Sequence, residues 1–97
     1  MVHSYEALYI VNPELSDEEI SAIMEKYQKV VEGQDAEVES VNRWEKRRLA
    51  YEIKGLREGI YILMNFKAEP KATAELDRLL KISDDVIRHI ICRTDEK

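Results

Sequence analysis

Positive charge is concentrated in one short stretch of this chain, residues 43–48. Three arginines and a lysine stand there against one carboxylate, beside an indole, in the order Arg43-Trp44-Glu45-Lys46-Arg47-Arg48. The chain as a whole carries a net charge of −5, so this basic segment is an isolated cationic site on an acidic protein. A concentrated site favours binding to an anionic partner, because a chain that merely adheres to anions spreads its cations along its length.

Apolar side chains follow the basic segment at every second position, beginning with Leu49, which is the period of a half-buried strand. Extending this alternation backwards places Lys46 and Arg48 on the opposite face, pointing away from the buried side, whereas Arg47 has the other parity. We expect a β-bulge near Arg47, since the apolar positions also change parity within residues 38–41. The alternative is that these cations only discourage edge-to-edge pairing of strands.

No constellation of catalytic or metal-binding residues accompanies the basic segment in the sequence. Cys92 is the only cysteine, so it cannot form an intramolecular disulfide, and we expect it to be a small buried side chain. His3 and His89 lie far apart and lack the companions that a metal or catalytic site needs. We therefore expect no catalytic residue, no metal and no cofactor. The chain has neither a run of the ~18–20 apolar residues that span a bilayer nor a signal-peptide pattern, so the expected location is the cytoplasm.

Local signals divide the chain into six elements. Ser16 to Glu19 form a capping box that begins the first helix, and Gly33 is the expected end of that helix. Pro70 suits the first turn of a second helix, which ends at Ser83. The predicted strands are Tyr5 to Val11, Ala36 to Ile53, Ile60 to Ala68 and Val86 to Arg93. A glycine-containing turn over residues 54–59 joins the middle two strands, and a charged end follows from Thr94 to Lys97.

The predicted order is β-α-β-β-α-β, in which each half is a strand–helix–strand unit. Right-handed crossovers place both helices on one face of a four-stranded antiparallel sheet, which is the ferredoxin-like α+β fold. We expect one domain, residues 1–97. The other sheet face would be uncovered, and alternation places apolar side chains there near Lys46 and Arg48, namely Leu8, Ile10, Tyr61 and Leu63. An apolar surface beside cations favours a partner, although single apolar residues are common on protein surfaces.

Short motifs distributed over nearly the whole chain carry a family resemblance. They are Tyr5-Glu6, Asn12-Pro13, Trp44-x-Lys46-Arg47-Arg48-Leu49-Ala50-Tyr51-x-Ile53, Gly59-x-Tyr61 and Asp85-x-Ile87-Arg88. Together they resemble the bacterial family of ribosomal protein six of the small subunit, and Lys-Arg-Arg-Leu-Ala-Tyr is the most specific part. Glu45 and Glu52 depart from the family pattern, which usually has glycine at the first position and often proline at the second.

This resemblance implies a function in the ribosome. It implies a structural component of the small subunit that binds the central domain of the small-subunit ribosomal RNA together with ribosomal protein eighteen. An acidic protein with one basic segment neutralises few phosphates, so dependence on a second, basic protein fits the charge of this chain. The resemblance implies contacts to RNA or to the partner protein for Trp44, Lys46, Arg47, Arg48 and Tyr51. Charge alone adds Arg43, Arg88 and Arg93.

Three other functions are compatible with a ferredoxin-like fold. An RNA-recognition motif stacks bases on sheet aromatics, but residues 60–64 lack its Lys/Arg-Gly-aromatic signature. An acylphosphatase-like hydrolase needs a glycine-rich phosphate loop after the first strand, where this chain has the acidic Asn12-Pro13-Glu14-Leu15. A small regulatory or protein-interaction module that dimerises through its open sheet face explains the apolar face but not the cations. We therefore expect an RNA-binding structural protein and not an enzyme.

Overall fold

The computed structural model describes residues 1–95, which form six elements around one sheet. The elements are β1 His3–Val11, α1 Asp17–Glu32, β2 Glu37–Ile53, β3 Leu56–Ala68, α2 Pro70–Ile82 and β4 Val86–Arg93. The strands lie in the order β2-β3-β1-β4, and each neighbouring pair is antiparallel. This arrangement confirms the ferredoxin-like fold. The charged end lies only partly within the described residues, because residues 96 and 97 fall outside them.

Both helices begin where their capping signals predict. In α1 the Ser16 hydroxyl accepts a hydrogen bond from the Glu19 backbone N–H at 3.1 Å, and the Glu19 carboxylate accepts one from the Ser16 N–H at 3.0 Å. In α2, Pro70 occupies the first turn, where its missing N–H is not needed. The apolar stripe of each helix is buried, and its most buried members are Ile20, Tyr27, Val31, Ala72, Leu76 and Leu80.

The main hydrophobic core lies between the helices and one face of the sheet. The even-numbered positions of β3, from Ile60 to Ala68, are all buried, as the alternation predicts. Phe66 stacks on Tyr5 of β1 with ring centroids 5.6 Å apart, and Tyr9 meets Tyr27 of α1 edge to face at 5.4 Å. Neither helix of the described residues lies on the other side of the sheet, which we call the open face.

The β2–β3 hairpin is longer than the sequence predicts. β3 begins at Leu56 instead of Ile60, so the turn contains only Lys54 and Gly55. Both residues have positive φ, 51° and 80°, which suits a tight two-residue turn that follows the twist of the strands. The predicted turn over residues 54–59 is therefore wrong, because two left-handed residues are enough to reverse the chain.

The far part of this hairpin folds onto the open face. Leu49 of β2 packs there against Ile10 of β1 and Ile87 of β4, and all three side chains are buried. Gly59 allows this close approach, since a Cβ at that position would lie 2.3 Å from Cγ2 of Ile10. The prediction of an uncovered face is thus wrong in part. A long twisted hairpin reaches across the sheet, and the alternation within one strand does not show this.

Cys92 is exposed, so the prediction of a buried thiol is wrong. It lies opposite Glu6 of β1 on the open face, at a part of the edge strand that the hairpin does not cover. Neither helix of the described chain has the length and hydrophobicity that crossing a bilayer requires.

A small ionic cluster ties α2 to β4. The Asp77 carboxylate lies 2.7 Å from Nε2 of His89 and 2.9 Å from Nζ of Lys81. Hydrogen bonds from His89 and then Lys81 hold the pKa of Asp77 below its ordinary value of 3.8. Because the pKa of this carboxyl is lower in the folded than in the unfolded protein, the cluster stabilises the fold at pH values above the unfolded-state pKa. That contribution is lost as the pH falls through the lowered value.

Replacing Asp77 by Asn should therefore destabilise the protein in a pH-dependent way. Near neutral pH we expect a loss of roughly 0.3–1 kcal/mol, because exposed ion pairs are strongly screened. The difference from wild type should shrink as the pH falls below the ordinary carboxyl value of 3.8, and it should be lost once the pH is below the lowered pKa of folded Asp77. Urea unfolding across this range measures it, with Asp84→Asn as the control, since Asp84 forms no side-chain hydrogen bond or ion pair within residues 1–95. A difference that is constant with pH would contradict this role of Asp77.

Candidate nucleic-acid interface

A β-bulge in the basic segment decides which side of the sheet each cation takes. Arg43 lies opposite Ile62 and Lys46 opposite Ile60, so β2 contains one more residue than β3 between these two pairs. The bulge predicted near Arg47 is present just before it. Since directly opposed residues share a face, Arg43 and Lys46 both lie on the helix side.

Lys46 and Arg48 are exposed on the helix side of the sheet. Lys46 pairs with a residue of the main core, Ile60, and Arg48 has the same parity. Leu49 has the opposite parity, as predicted, but it is buried on the open face. The prediction that Lys46 and Arg48 project from the open face is therefore wrong. The sequence shows which residues alternate, but not which side the hairpin covers.

Arg47 and Trp44 lie together on the open face. Arg47 pairs with Gly59 of β3. Gly59 is odd-numbered, whereas the β3 residues that face the main core are even-numbered, so Arg47 lies on the other side of the sheet. Trp44 stacks on Tyr61 of β3, with ring centroids 6.2 Å apart and planes inclined by 11°. The guanidinium carbon of Arg47 lies 5.0 Å from the centroid of the Trp44 ring. Tyr61, Trp44 and Arg47 therefore form one cluster of side chains on the open face.

A second arginine–aromatic pair joins the hairpin to β4. Arg88 lies opposite Ile10 of β1, and its Nη1 donates a hydrogen bond to Oη of Tyr51. The guanidinium carbon of Arg88 lies 5.8 Å from the centroid of the Tyr51 ring. Tyr51 is nevertheless 61% exposed, so this pair is accessible to a partner. Two residues that the sequence places far apart therefore form one contact on the open face.

An apolar groove of about 330 Å³ lies next to these two pairs. Its walls include Leu8, Ile10, Leu49, Tyr51, Tyr61 and Ile90, and Arg88 also lines it. The apolar character that alternation predicts for the open face is thus present. The hairpin thus creates two features on that face. One is a buried second core, formed by Ile10, Leu49 and Ile87, and the other is the accessible groove beside it.

Many cations of the chain already have a carboxylate partner. Arg43 lies 2.8 Å from Asp17 at the start of α1, and Arg93 lies 2.8 Å from Asp95. Within residues 1–95, the lysines and arginines that form no ion pair are Lys26, Lys46, Arg47, Arg48, Lys54 and Arg88. Apart from Lys26, these residues lie in the β2–β3 hairpin or, in the case of Arg88, are hydrogen-bonded to its Tyr51. The available positive charge is therefore gathered around the hairpin.

Tyr61 belongs to this site although it was not predicted as a binding residue. The sequence places it on the open face and in a family motif, but its contact with Trp44 depends on the bulge. The described residues contain no group of three or more His, Cys, Asp or Glu side chains that could hold a metal ion.

Comparison with known proteins relates the whole chain to one family. The family described as ribosomal protein S6 matches residues 4–93. The small ribosomal subunit protein bS6 of Desulforamulus reducens is 55% identical over 95 residues, covering 98% of this chain and 100% of the relative. The protein of the same name from Carboxydothermus hydrogenoformans is 52% identical over 96 residues, covering 99% and 100%.

Two solved structures share the fold. The crystal structure of 30S ribosomal protein S6 from Thermotoga maritima matches with a TM-score of 0.91 at 27% identity, over 98% of this chain and 90% of that one. The C-terminal domain of the MgtC protein from Mycobacterium tuberculosis matches with a TM-score of 0.66 at 10% identity, also over 98% and 90%, which shows a similar fold alone.

These findings confirm the family resemblance and the prediction of a structural protein that is not an enzyme. The chain belongs to the ribosomal protein S6 family and is a structural component of the small ribosomal subunit, located in the cytoplasmic ribosome.

Proposed function

We propose that this chain acts as one domain, residues 1–97, that binds the central domain of small-subunit ribosomal RNA through its open face, together with ribosomal protein eighteen. The distribution of unpaired positive charge carries this proposal, since it is gathered around the hairpin of an acidic protein. Arg47 and Arg88 are held there against the rings of Trp44 and Tyr51. A guanidinium suits RNA because it can donate two parallel hydrogen bonds to one phosphate.

The remaining candidate cations fall into two groups. Lys46 and Arg48 extend the positive charge around the hairpin to the helix side, where they can contact RNA or the partner protein. Arg43 and Arg93 are weaker candidates, because each lies 2.8 Å from an aspartate carboxylate that an RNA phosphate would have to displace.

The charge balance of the chain supports the proposal of a basic partner protein. A net charge of −5 repels RNA at a distance, and few cations are free to neutralise phosphates. The affinity of the isolated chain should therefore be low, and its log–log salt slope should be shallow, because few counterions are released. A basic protein bound beside the hairpin would add cations and offset the repulsion.

RNA binding should tighten by at least about tenfold, or ~1.4 kcal/mol, when ribosomal protein eighteen is present. Fluorescence anisotropy measures this with a labelled central-domain fragment titrated by the chain, by the partner and by both together. Tight binding by the chain alone at physiological salt would contradict the need for a partner. Failure of the mixture to bind better than the partner alone would contradict the proposed function itself.

A protein-interaction module that dimerises through the open face is the second candidate. The exposure of Ile90, at 55%, and of Tyr51, at 61%, on that face favours it. Gel filtration of the isolated chain separates the two functions. A stable homodimer that excludes RNA supports the module, and a monomer supports the ribosomal role.

A further inference from the structure

We propose that Trp44 is a positioning residue that fixes the guanidinium of Arg47 to receive a single phosphate of the RNA backbone. This role rests on the RNA binding proposed above. Trp44 acts through Arg47 and need not touch RNA itself, so its contribution can be separated from that of the charge.

The bulge is what brings Trp44 and Arg47 to the same face. Residues three apart in a regular strand point to opposite faces, but the extra residue of β2 between Arg43 and Lys46 restores a common side. The Trp44 ring is held by Tyr61 at 6.2 Å and contacts the guanidinium of Arg47 at 5.0 Å. Trp44 is half-buried whereas Arg47 is exposed, so the ring is the fixed part and the cation is open to solvent.

The charge of Arg47 is not engaged by a carboxylate in the part of the chain that the structure describes. This arginine forms no ion pair within residues 1–95, whereas Arg43 in the same strand is bound to Asp17 at 2.8 Å. Contact with an aromatic face leaves the N–H donors of a guanidinium free, because the attraction is to the ring quadrupole and uses no directed hydrogen bond. A guanidinium whose orientation is already restrained loses less freedom when it binds a phosphate with two hydrogen bonds.

Arg48 is a natural control for this effect. It is also exposed and forms no ion pair within the described residues, but it lies on the helix side without a contact to an aromatic ring. Its charge is the same as that of Arg47, and the two arginines are adjacent in the strand. A comparison of the two arginines therefore isolates the contribution of the ring.

A double-mutant cycle between Trp44 and Arg47 tests the proposal. RNA affinity is measured by anisotropy for the chain with ribosomal protein eighteen and a central-domain RNA fragment. Trp44→Leu should weaken binding about two- to fivefold, the range of an exposed cation–π contact. It should have no further effect in the Arg47→Gln background but should keep its full effect in the Arg48→Gln background.

Three further readouts separate positioning from a structural role. Trp44→Phe should restore most of the affinity, because it keeps a ring face for the guanidinium. The log–log salt slope should stay unchanged in Trp44→Leu, which keeps every cation, and should flatten by about 0.7–0.9 in Arg47→Gln. Without RNA, the NMR order parameter of the Arg47 Nε–H vector should fall in Trp44→Leu, while that of Arg48 should not.

An equal effect of Trp44→Leu in the wild-type and Arg47→Gln backgrounds would overturn the proposal, because Trp44 would then not act through Arg47. An unchanged order parameter of Arg47 in Trp44→Leu would overturn it as well. If the wild-type mixture binds no RNA, the proposed function fails and the phosphate contact fails with it. The NMR measurement distinguishes that outcome from a failure of positioning.

Discussion

Replacing Leu49 by Ala is expected to lower the free energy of unfolding by about 2–4 kcal/mol. The Leu49 side chain is only 8% exposed and packs between Ile10 and Ile87, so truncation removes apolar contacts and leaves a cavity. Urea unfolding measures this decrease. Hydrogen exchange should localise it, because amides of the hairpin beyond Arg43 should exchange faster while those of β1 change less.

Ile82→Ala is the matched control for Leu49→Ala. It removes a similar number of carbon atoms from a side chain that is 65% exposed, so its cost should stay within about 0.5 kcal/mol. If the two substitutions cost the same, the hairpin does not pack on the open face and the second core does not exist in solution.

Reversing the charges of Arg47 and Arg88 together, to Glu, is expected to weaken RNA binding by at least about 100-fold, or ~2.7 kcal/mol. Two attractive phosphate interactions become repulsive, and the log–log salt slope should flatten by about 0.7–0.9 for each phosphate that is no longer neutralised. Anisotropy with the central-domain fragment and ribosomal protein eighteen measures both quantities. Circular dichroism checks that the variant is folded, since Arg88 also bonds to Tyr51.

The control for this variant is Lys46→Glu/Arg48→Glu, which changes the net charge of the chain by the same amount. Long-range repulsion is therefore equal in the two variants, and a difference between them reports local contact. We expect the Lys46/Arg48 variant to keep clearly more of the wild-type affinity. A larger decrease in that variant would place the main RNA contact on the helix side.

Much of the fold follows from local signals in the sequence. The capping box of Ser16 and Glu19 is read from four residues and is formed as predicted. The buried row of β3 from Ile60 to Ala68 follows from alternation, because a strand against a helical layer must turn one face inward. These features depend on neighbours in the chain, so a single sequence is enough to predict them.

The arrangement of the candidate site was only partly predictable. Alternation separates Lys46 from Leu49 correctly, but it does not tell which side of the sheet a long hairpin will cover. The contact of Trp44 with Arg47 depends on an extra residue in β2. No residue of this bulge has a positive φ, so Glu45 is accommodated there without a left-handed backbone. Contacts of this kind are set by strand twist and register, which sequence patterns fix poorly.

The most direct test of the RNA-binding surface is an NMR titration of the labelled chain, bound to unlabelled ribosomal protein eighteen, with the central-domain RNA fragment. The shifts that RNA adds should cluster on the open face, at the Trp44 indole N–H, the side chains of Arg47 and Arg88, and Tyr51. Signals around Asp77, between α2 and β4, should stay in place. Changes confined to the helix side, with the Trp44 indole undisturbed, would contradict RNA binding at the open face.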